Sequence, residues 1–216
     1  ASISGLYGGI ALQVITAGAV LVDKTSVDNV INGLLLDNSA GAANITVQSS
    51  RFVGSGDYGI QPITTGNILL NGVTTEWFQI GLLVADHPGT LTINASAFRW
   101  SSIVGANITM SGEGKALTVT RSVFNNNGTG LAALTKGPIV LNGVTASYNQ
   151  ETGAMLNNKA AAVPATVLVT SALGRNTFNQ NRIGLDVRSA SHINVTGFSA
   201  DSNTKIGLWL DNCNKE

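Results

Sequence analysis

The sequence predicts an all-β fold, a right-handed parallel β-helix of about nine coils that forms a single domain over residues 1–216. Long helical patterns are missing, and short apolar-alternating runs are broken throughout by Gly, Asn and Ser. That pattern is typical of many short strands. Two sequence landmarks also recur together at the length of one coil, along nearly the whole chain.

The first landmark is a short strand whose second residue is apolar. Successive copies lie 22 to 28 residues apart, and the pentapeptide LNGVT occurs twice, at 70–74 and 141–145. Because each copy fills one coil, like positions are expected to stack on like positions at the strand spacing of about 4.8 Å. The second positions are Val20, Ile45, Ile68, Leu91, Leu117, Ile139, Val167 and Ile193.

The second landmark is a glycine that opens another strand, as in GIAL (9–12), GLLL (33–36) and GLWL (207–210); GANI (105–108) fits this pattern poorly. Strand alternation points the first and third residues after the glycine inward, and so predicts Ile10 and Leu12 as core residues of the first coil. The same alternation predicts one shared inward column. Its members are Leu34, Leu82, Leu131, Leu185 and Leu208.

Aromatic and asparagine residues occupy regular places between the landmarks. The phenylalanines in mid-coil are expected to stack inside: Phe52, Phe98, Phe124, Phe178 and Phe198. Asparagines and glycines mark the corners, where turns need a positive φ: Asn71-Gly72, Asn142-Gly143, Asn149 and the run 125–128. Stacked asparagine amides are expected to hydrogen-bond from coil to coil, which makes them structural residues.

Two segments, NITVQSSRFVGSGDYGIQP and ALTVTRSVFNNNGTGLAAL, carry a resemblance to a known family. Their order of strand, turn, aromatic, Asn/Gly turn, glycine and strand resembles the right-handed parallel β-helix repeat proteins of the pectin-lyase-like superfamily. The resemblance covers about residues 9–212 and is nearest to the non-enzymatic bacterial surface and fibre members. It implies a fold and not a function, because that superfamily includes lyases, hydrolases, tailspikes and adhesins.

Composition excludes several functions. Only 11% of residues are charged and the net charge is zero, which gives no basis for nucleic-acid binding, and no apolar run is long enough for a membrane helix. Cys213 is the single cysteine, so an intrachain disulfide and a cysteine zinc site are excluded. Scarce lysine and abundant Asn, Thr and Gly favour an extracellular or cell-surface protein.

The sequence predicts no enzyme, no metal site and no cofactor. The carboxylates are scattered singly, and the Asp-Asp and Asn-x-Asp signatures of polygalacturonases are absent. His87 precedes Pro88-Gly89 and is expected in an exposed turn. Arg182 and Arg188 near Asp186 are interpreted as surface ion pairing, and Arg188 and Asp211 are expected to be outward neighbours on successive coils.

The outward face of the glycine-led strands is unexpectedly apolar. Either a contact surface or a covering loop explains such a stripe; its members are Leu35, Leu83, Leu134, Met155 and Trp209. Five sequons are possible glycan acceptors in an organism with that machinery: Asn44, Asn94, Asn107, Asn127 and Asn194.

Solenoids cap their ends because an open coil exposes unpaired strands and core. Here GIAL lies at 9–12 and GLWLDN at 207–212, so the domain is expected to be uncapped. Either the chain is a segment of a longer repeat protein, or its open ends stack on copies of itself, with Ile10 and Leu12 of one copy against Leu208 and Leu210 of the next. The preferred function is therefore a structural filament subunit, surface stalk or adhesin. The alternative is a β-helix that binds or cleaves carbohydrate, with cell-surface glycans as partners.

Overall fold

The fold is a parallel β-solenoid. The computed structural model describes residues 2–4 and 9–212, and the regular structure of these residues is β-strand throughout, with no helix. Neighbouring strands pair in parallel, and the chain winds through about eight turns, close to the nine coils expected. The predicted fold class is confirmed. At a strand spacing of about 4.8 Å, the rod is about 38 Å long.

Each coil crosses three sheets in a fixed order, here called sheets 1, 2 and 3. Sheet 1 contains Val20–Asp23, Ile45–Gln48, Ile68–Asn71, Leu91–Asn94, Leu117–Thr120, Ile139–Asn142, Val167–Thr170 and Ile193–Val195. Sheet 2 contains Ser2–Ser4, Ser26–Val30, Arg51–Gly54, Thr74–Glu76, Ala97–Arg99 and Val123–Asn125; single bridges through Thr145 lead on to Asn176–Thr177 and Phe198–Ser199. Sheet 3 contains Ile10–Ile15, Asn32–Asp37, Tyr58–Ile63, Ile80–His87, Val104–Met110, Thr129–Leu134, Thr152–Asn157, Ile183–Arg188 and Ile206–Asp211.

The inward leucine column of sheet 3 is confirmed. Register pairing runs without a break through Leu12, Leu34, Ile60, Leu82, Ala106, Leu131, Ala154, Leu185 and Leu208. The members from Leu34 to Leu185 are fully buried, and each large apolar side chain contributes about 1.5–3 kcal/mol by leaving water.

The register predicted for the first coil is wrong by two residues. Ile10 pairs with Asn32 and Leu12 pairs with Leu34, so Ala11, and not Gly9, occupies the glycine position of that coil. Ile10 therefore does not belong to the inward column. The sequence misled here because Gly8-Gly9 offered a glycine before an apolar pair, whereas pairing with the next coil decides the register.

A glycine ladder runs along sheet 3 and includes Gly105, whose GANI sequence had fitted poorly. Its members are Gly33, Gly59, Gly81, Gly105, Gly130, Gly153, Gly184 and Gly207. From Gly33 to Gly184, a Cβ atom would lie only 2.2–2.6 Å from the carbonyl oxygen of the next glycine in the ladder. At these positions the close approach of successive backbones leaves no room for a Cβ atom, although Ala11 stands at the equivalent place in the first coil.

An asparagine ladder fills the corner between sheets 2 and 3, and confirms the expected coil-to-coil amide bonding. Its members are Asn127, Asn149, Asn181 and Asn203. The first three each donate their backbone N–H to the side-chain oxygen of the next member at 2.9 Å. Each Nδ2 donates at 2.9–3.1 Å to a backbone carbonyl of the preceding coil. The missing Cβ atoms of the glycine ladder leave room for these amides, because a Cβ on Gly105, Gly130, Gly153 or Gly184 would meet an asparagine Nδ2 at 2.7–2.9 Å.

The phenylalanine core is also confirmed. Phe52, Phe98, Phe124 and Phe178 are fully buried, and Phe198 is half-buried against the core near the last coil. Phe98 and Phe124 pair in register and stack at 5.2 Å between ring centroids. Phe78 is buried as well, although the strand pattern had not singled it out.

Candidate functional site

The two ends of the rod differ from its middle in how well the core is covered. Leu210 continues the inward column of Val187, yet it is 49% exposed whereas Val187 is fully buried. Leu208 is half-buried against the core. No strand lies beyond Ile206–Asp211 in the part of the chain that the structure describes, so the upper faces of these side chains lack a neighbouring coil.

At the opposite end, the interior of the first coil opens into a cavity of about 450 Å³. Leu12, Val14, Val20 and Val22 line it, and all four point along inward columns. Ile10 and Leu12 are half-buried. Residues 5–8 and 213–216, including Cys213, lie outside the described residues, so the expected lack of caps stays a prediction.

The apolar stripe on the outer face of sheet 3 is not continuous. Leu35, Leu83, Met155 and Trp209 share one outward column, but polar residues stand between them in register: Gln61, Asn107 and Asp186. Leu134 belongs to the next outward column, beside Thr109 and Asn157. Exposure is largest at Trp209 (51%), Leu134 (45%) and Met155 (38%). The structure therefore brings together separate apolar spots, and their role in contacts stays a prediction.

Two charged residues of the last coils lie in the predicted register, but each forms its salt bridge with another residue. Arg188 and Asp211 are register neighbours, as predicted. Arg188 bonds the buried Asp186 at 2.8 Å, which raises the arginine pKa chiefly through that hydrogen bond, while Asp211 bonds Lys159 at 2.7 Å. Arg182 pairs with Glu151 one coil earlier.

The five sequon asparagines differ widely in accessibility. Asn44 and Asn194 are exposed, and Asn94 and Asn107 are half-buried. Asn127 is 2% exposed, and its Nδ2 already donates to the carbonyl of Phe98 at 3.1 Å. A glycan on that nitrogen would break the asparagine ladder, so the folded chain has no room for one at Asn127.

The prediction for His87 is wrong, because this residue is buried at 2% exposure. It ends the strand Ile80–His87, and its Nδ1 and Nε2 lie 3.1 and 3.2 Å from the carbonyl oxygens of Thr64 and Thr90. Asn38 and Asn158 occupy the equivalent corner in other coils, and each donates its amide to two carbonyl oxygens. The ring of His87 thus replaces a corner amide, which the Pro-Gly turn signal could not reveal.

Sheet 2 carries a charge network that the scattered carboxylates of the sequence had not indicated. Arg51 bonds Asp28 at 2.5 Å and Glu76 at 2.8 Å, on the coils before and after it. Burial acts most strongly on Arg51 and lowers its pKa, but the bonds and charges of Glu76 and Asp28 together outweigh burial and leave the pKa raised. One guanidinium therefore holds both carboxylates and links three successive coils.

An exposed aromatic corner adjoins this network. Trp77 and Trp100 follow the sheet 2 strands of successive coils and stack at 5.1 Å between ring centroids with an interplanar angle of 10°. They are 57% and 37% exposed. Tyr148, also 57% exposed, occupies the same corner position two coils further on, with Asn126 between. The 23-residue spacing of the tryptophans equals one coil and was the available sequence signal.

Comparison of the chain with protein-family models, with curated proteins and with solved structures finds no match in any of the three. Among the described residues, no group of three or more His, Cys, Asp or Glu is placed to hold a metal ion. The same residues contain no helix that could span a membrane. The parallel pairing of strands in the structure itself defines the chain as a β-solenoid, and its ends and aromatic corner are its candidate functional features.

Proposed function

We propose that this chain is an extracellular structural β-solenoid, a subunit of a filament or of a surface stalk or adhesin, which associates end to end with copies of itself and has no catalytic role. Membership of the pectin-lyase-like superfamily, among its non-enzymatic surface and fibre proteins, is part of the proposal. The observation that best supports the proposal is a difference in exposure: Leu210 is 49% exposed, whereas Val187, one coil earlier in the same inward column, is 0% exposed.

Stacking of another coil on the last one would remove this contrast. An incoming strand would pair with the outer backbone edge of residues 206–210 and cover Leu208 and Leu210. The first coil of a second copy offers a matching open interior, lined by Leu12 and Val14. Contact between unlike ends is heterologous, and because the two ends lie at opposite ends of a rod, it propagates as a filament.

Sedimentation velocity over a wide concentration range tests the proposal. The wild-type chain is expected to form species that grow with concentration, and Leu210→Lys is expected to remain monomeric, because a charge would be buried in each joint. Ile63→Lys is the matched control, since Ile63 is an exposed residue of the same sheet in the middle of the rod. A wild-type chain that stays monomeric throughout would contradict end-to-end association.

Carbohydrate binding is the second candidate function, and the exposed tryptophan pair is the observation that favours it. Aromatic rings at a surface are the usual platform for the apolar faces of ligand rings. The pairing of Asp28 and Glu76 with one arginine favours binding over cleavage, because a glycosidase needs one carboxyl as acid and another as base or nucleophile. Cell-surface glycans are the partners that this candidate implies.

A further inference from the structure

We infer that the corner formed by Trp77, Trp100, Arg99 and Asn126, here called the tryptophan corner, is a binding site for pyranose-containing glycans. The inference rests on the carbohydrate-binding candidate and is independent of end-to-end association. Its starting point is the stacked, solvent-exposed pair of indole rings.

Local backbone geometry does not explain the tryptophans. Trp77 and Trp100 have φ values of 71° and 54°, a left-handed conformation that is strained for a bulky side chain. Asn126, Tyr148 and Gln180 fill the same corner position elsewhere with φ values of 60°, 61° and 56°, so the turn does not require an indole ring. Apart from glycine, asparagine is among the residue types that adopt such a φ most readily, whereas a bulky side chain such as tryptophan adopts it rarely.

Core burial does not explain them either. Both rings project from the corner into solvent, and the core beneath is filled by Phe78 and Phe98, which are 1% and 0% exposed. Strained and exposed positions that retain large aromatic side chains are characteristic of functional surfaces. Stacking holds the two rings parallel, at 10°, and covers the sides that face each other, so the outer faces and edges are the ligand platform and are ordered before any ligand arrives.

Two residues with hydrogen-bond donors lie beside the tryptophans in strand register. Arg99 precedes Trp100 and is half-buried, and its guanidinium has no ion-pair or hydrogen-bond partner among the described residues, because Arg51 already holds the neighbouring Glu76. Asn126 lies one coil beyond Trp100 and is exposed. An apolar ring platform with polar donors at its rim matches a pyranose, which has apolar C–H faces and a rim of hydroxyl groups.

Fluorescence titration of the full chain tests the site. Trp209→Phe provides the background, because the chain has three tryptophans and this change leaves Trp77 and Trp100 as the only emitters. The probes are cellohexaose, chitohexaose and a hexamer of galacturonic acid. At least one probe is expected to bind and to change the tryptophan emission. The affinity for the acidic probe, compared with the affinities for the two neutral probes, shows whether Arg99 contributes to binding.

Two substitutions locate the binding. In the otherwise wild-type chain, Trp77→Ala and Trp100→Ala are each expected to weaken binding at least tenfold by calorimetry, whereas Gln180→Ala, at the same corner position, is expected to leave it unchanged. Circular dichroism and thermal unfolding of each variant show that the fold survives. Undiminished binding by the Trp77→Ala, Trp100→Ala double variant would overturn the site while leaving carbohydrate binding in place. Failure of the wild-type chain to bind any probe would overturn both.

Discussion

The close contacts of the glycine ladder predict that Gly130→Ala destabilises the fold. The added Cβ would lie 2.3 Å from the carbonyl oxygen of Gly153 and 2.9 Å from both the Nδ2 of Asn149 and the carbonyl oxygen of Phe124. Two of these atoms are backbone, so the coils must separate or the Asn149 amide must move. Overpacking of this kind costs about 1–3 kcal/mol.

Displacement of the Asn149 amide adds a second cost. That group donates to Phe124 O and to Asn181 Oδ1, both at 3.0 Å, and a buried hydrogen bond contributes about 1 kcal/mol. Gly130→Ala is therefore expected to lower the free energy of unfolding by about 2–4 kcal/mol. Gly18→Ala is the control, because its Cβ would meet only Thr16 Oγ1, at an ordinary 3.7 Å.

The assay is urea denaturation followed by circular dichroism, in the Leu210→Lys background so that association does not add to stability. Gly18→Ala is expected within about 1 kcal/mol of its parent. A Gly130→Ala chain as stable as its parent would refute the argument that close backbone approach, and not chance, places glycine at every coil of the ladder.

Three further predictions concern buried polar groups and one tyrosine. Asn149→Ala is expected to lower the free energy of unfolding by about 2–4 kcal/mol in the same assay, because the Asn127 N–H and Phe124 O each lose a hydrogen-bond partner. Asn126→Gly is the control: Asn126 is exposed, so the free energy of unfolding should change by less than about 0.5 kcal/mol. His87→Asn is expected to retain stability because Asn38 and Asn158 bridge the same corner. His87→Leu is expected to lose about 1–3 kcal/mol, because it removes the ring nitrogens that face the carbonyl oxygens of Thr64 and Thr90; equal stabilities of the two variants would contradict this role. Burial, and then the charge of Asp57, raise the Tyr58 pKa. Folding therefore favours the neutral phenol. The stability of the folded chain is unaffected by this tyrosine below the unfolded pKa of about 10, and it falls as pH rises from there toward the folded pKa. Tyr58→Phe, which cannot ionise, should therefore unfold less readily than wild type in alkaline denaturation.

The fold was predictable because a solenoid repeats its requirements in every coil. Inward residues such as Leu34 and Leu185 must be apolar, and the corner glycines must lack a Cβ, so periodicity alone located both. The first coil failed because Ala11 stands at the glycine position there, while Gly9 two residues earlier imitates the landmark.

The candidate site was harder to predict because its residues are exceptions to the repeat. His87 takes the place of a corner amide, and Trp77 and Trp100 take the place of residues suited to a left-handed turn. The charge network depends on Arg51 reaching the coils before and after it, which single carboxylates in a sequence do not reveal. Each case needed the three-dimensional stacking of coils before its neighbours could be named.

Negative-stain electron microscopy of the purified chain tests the central claim, that this solenoid is a structural subunit that assembles through its ends. With increasing concentration, we expect unbranched rods whose lengths grow in steps of about 43 Å, because each added chain contributes nine strands to sheet 3, each at a spacing of about 4.8 Å. The Leu210→Lys chain is expected to show single rods under the same conditions. Single wild-type rods at every concentration, or aggregates joined side by side, would contradict the proposed assembly.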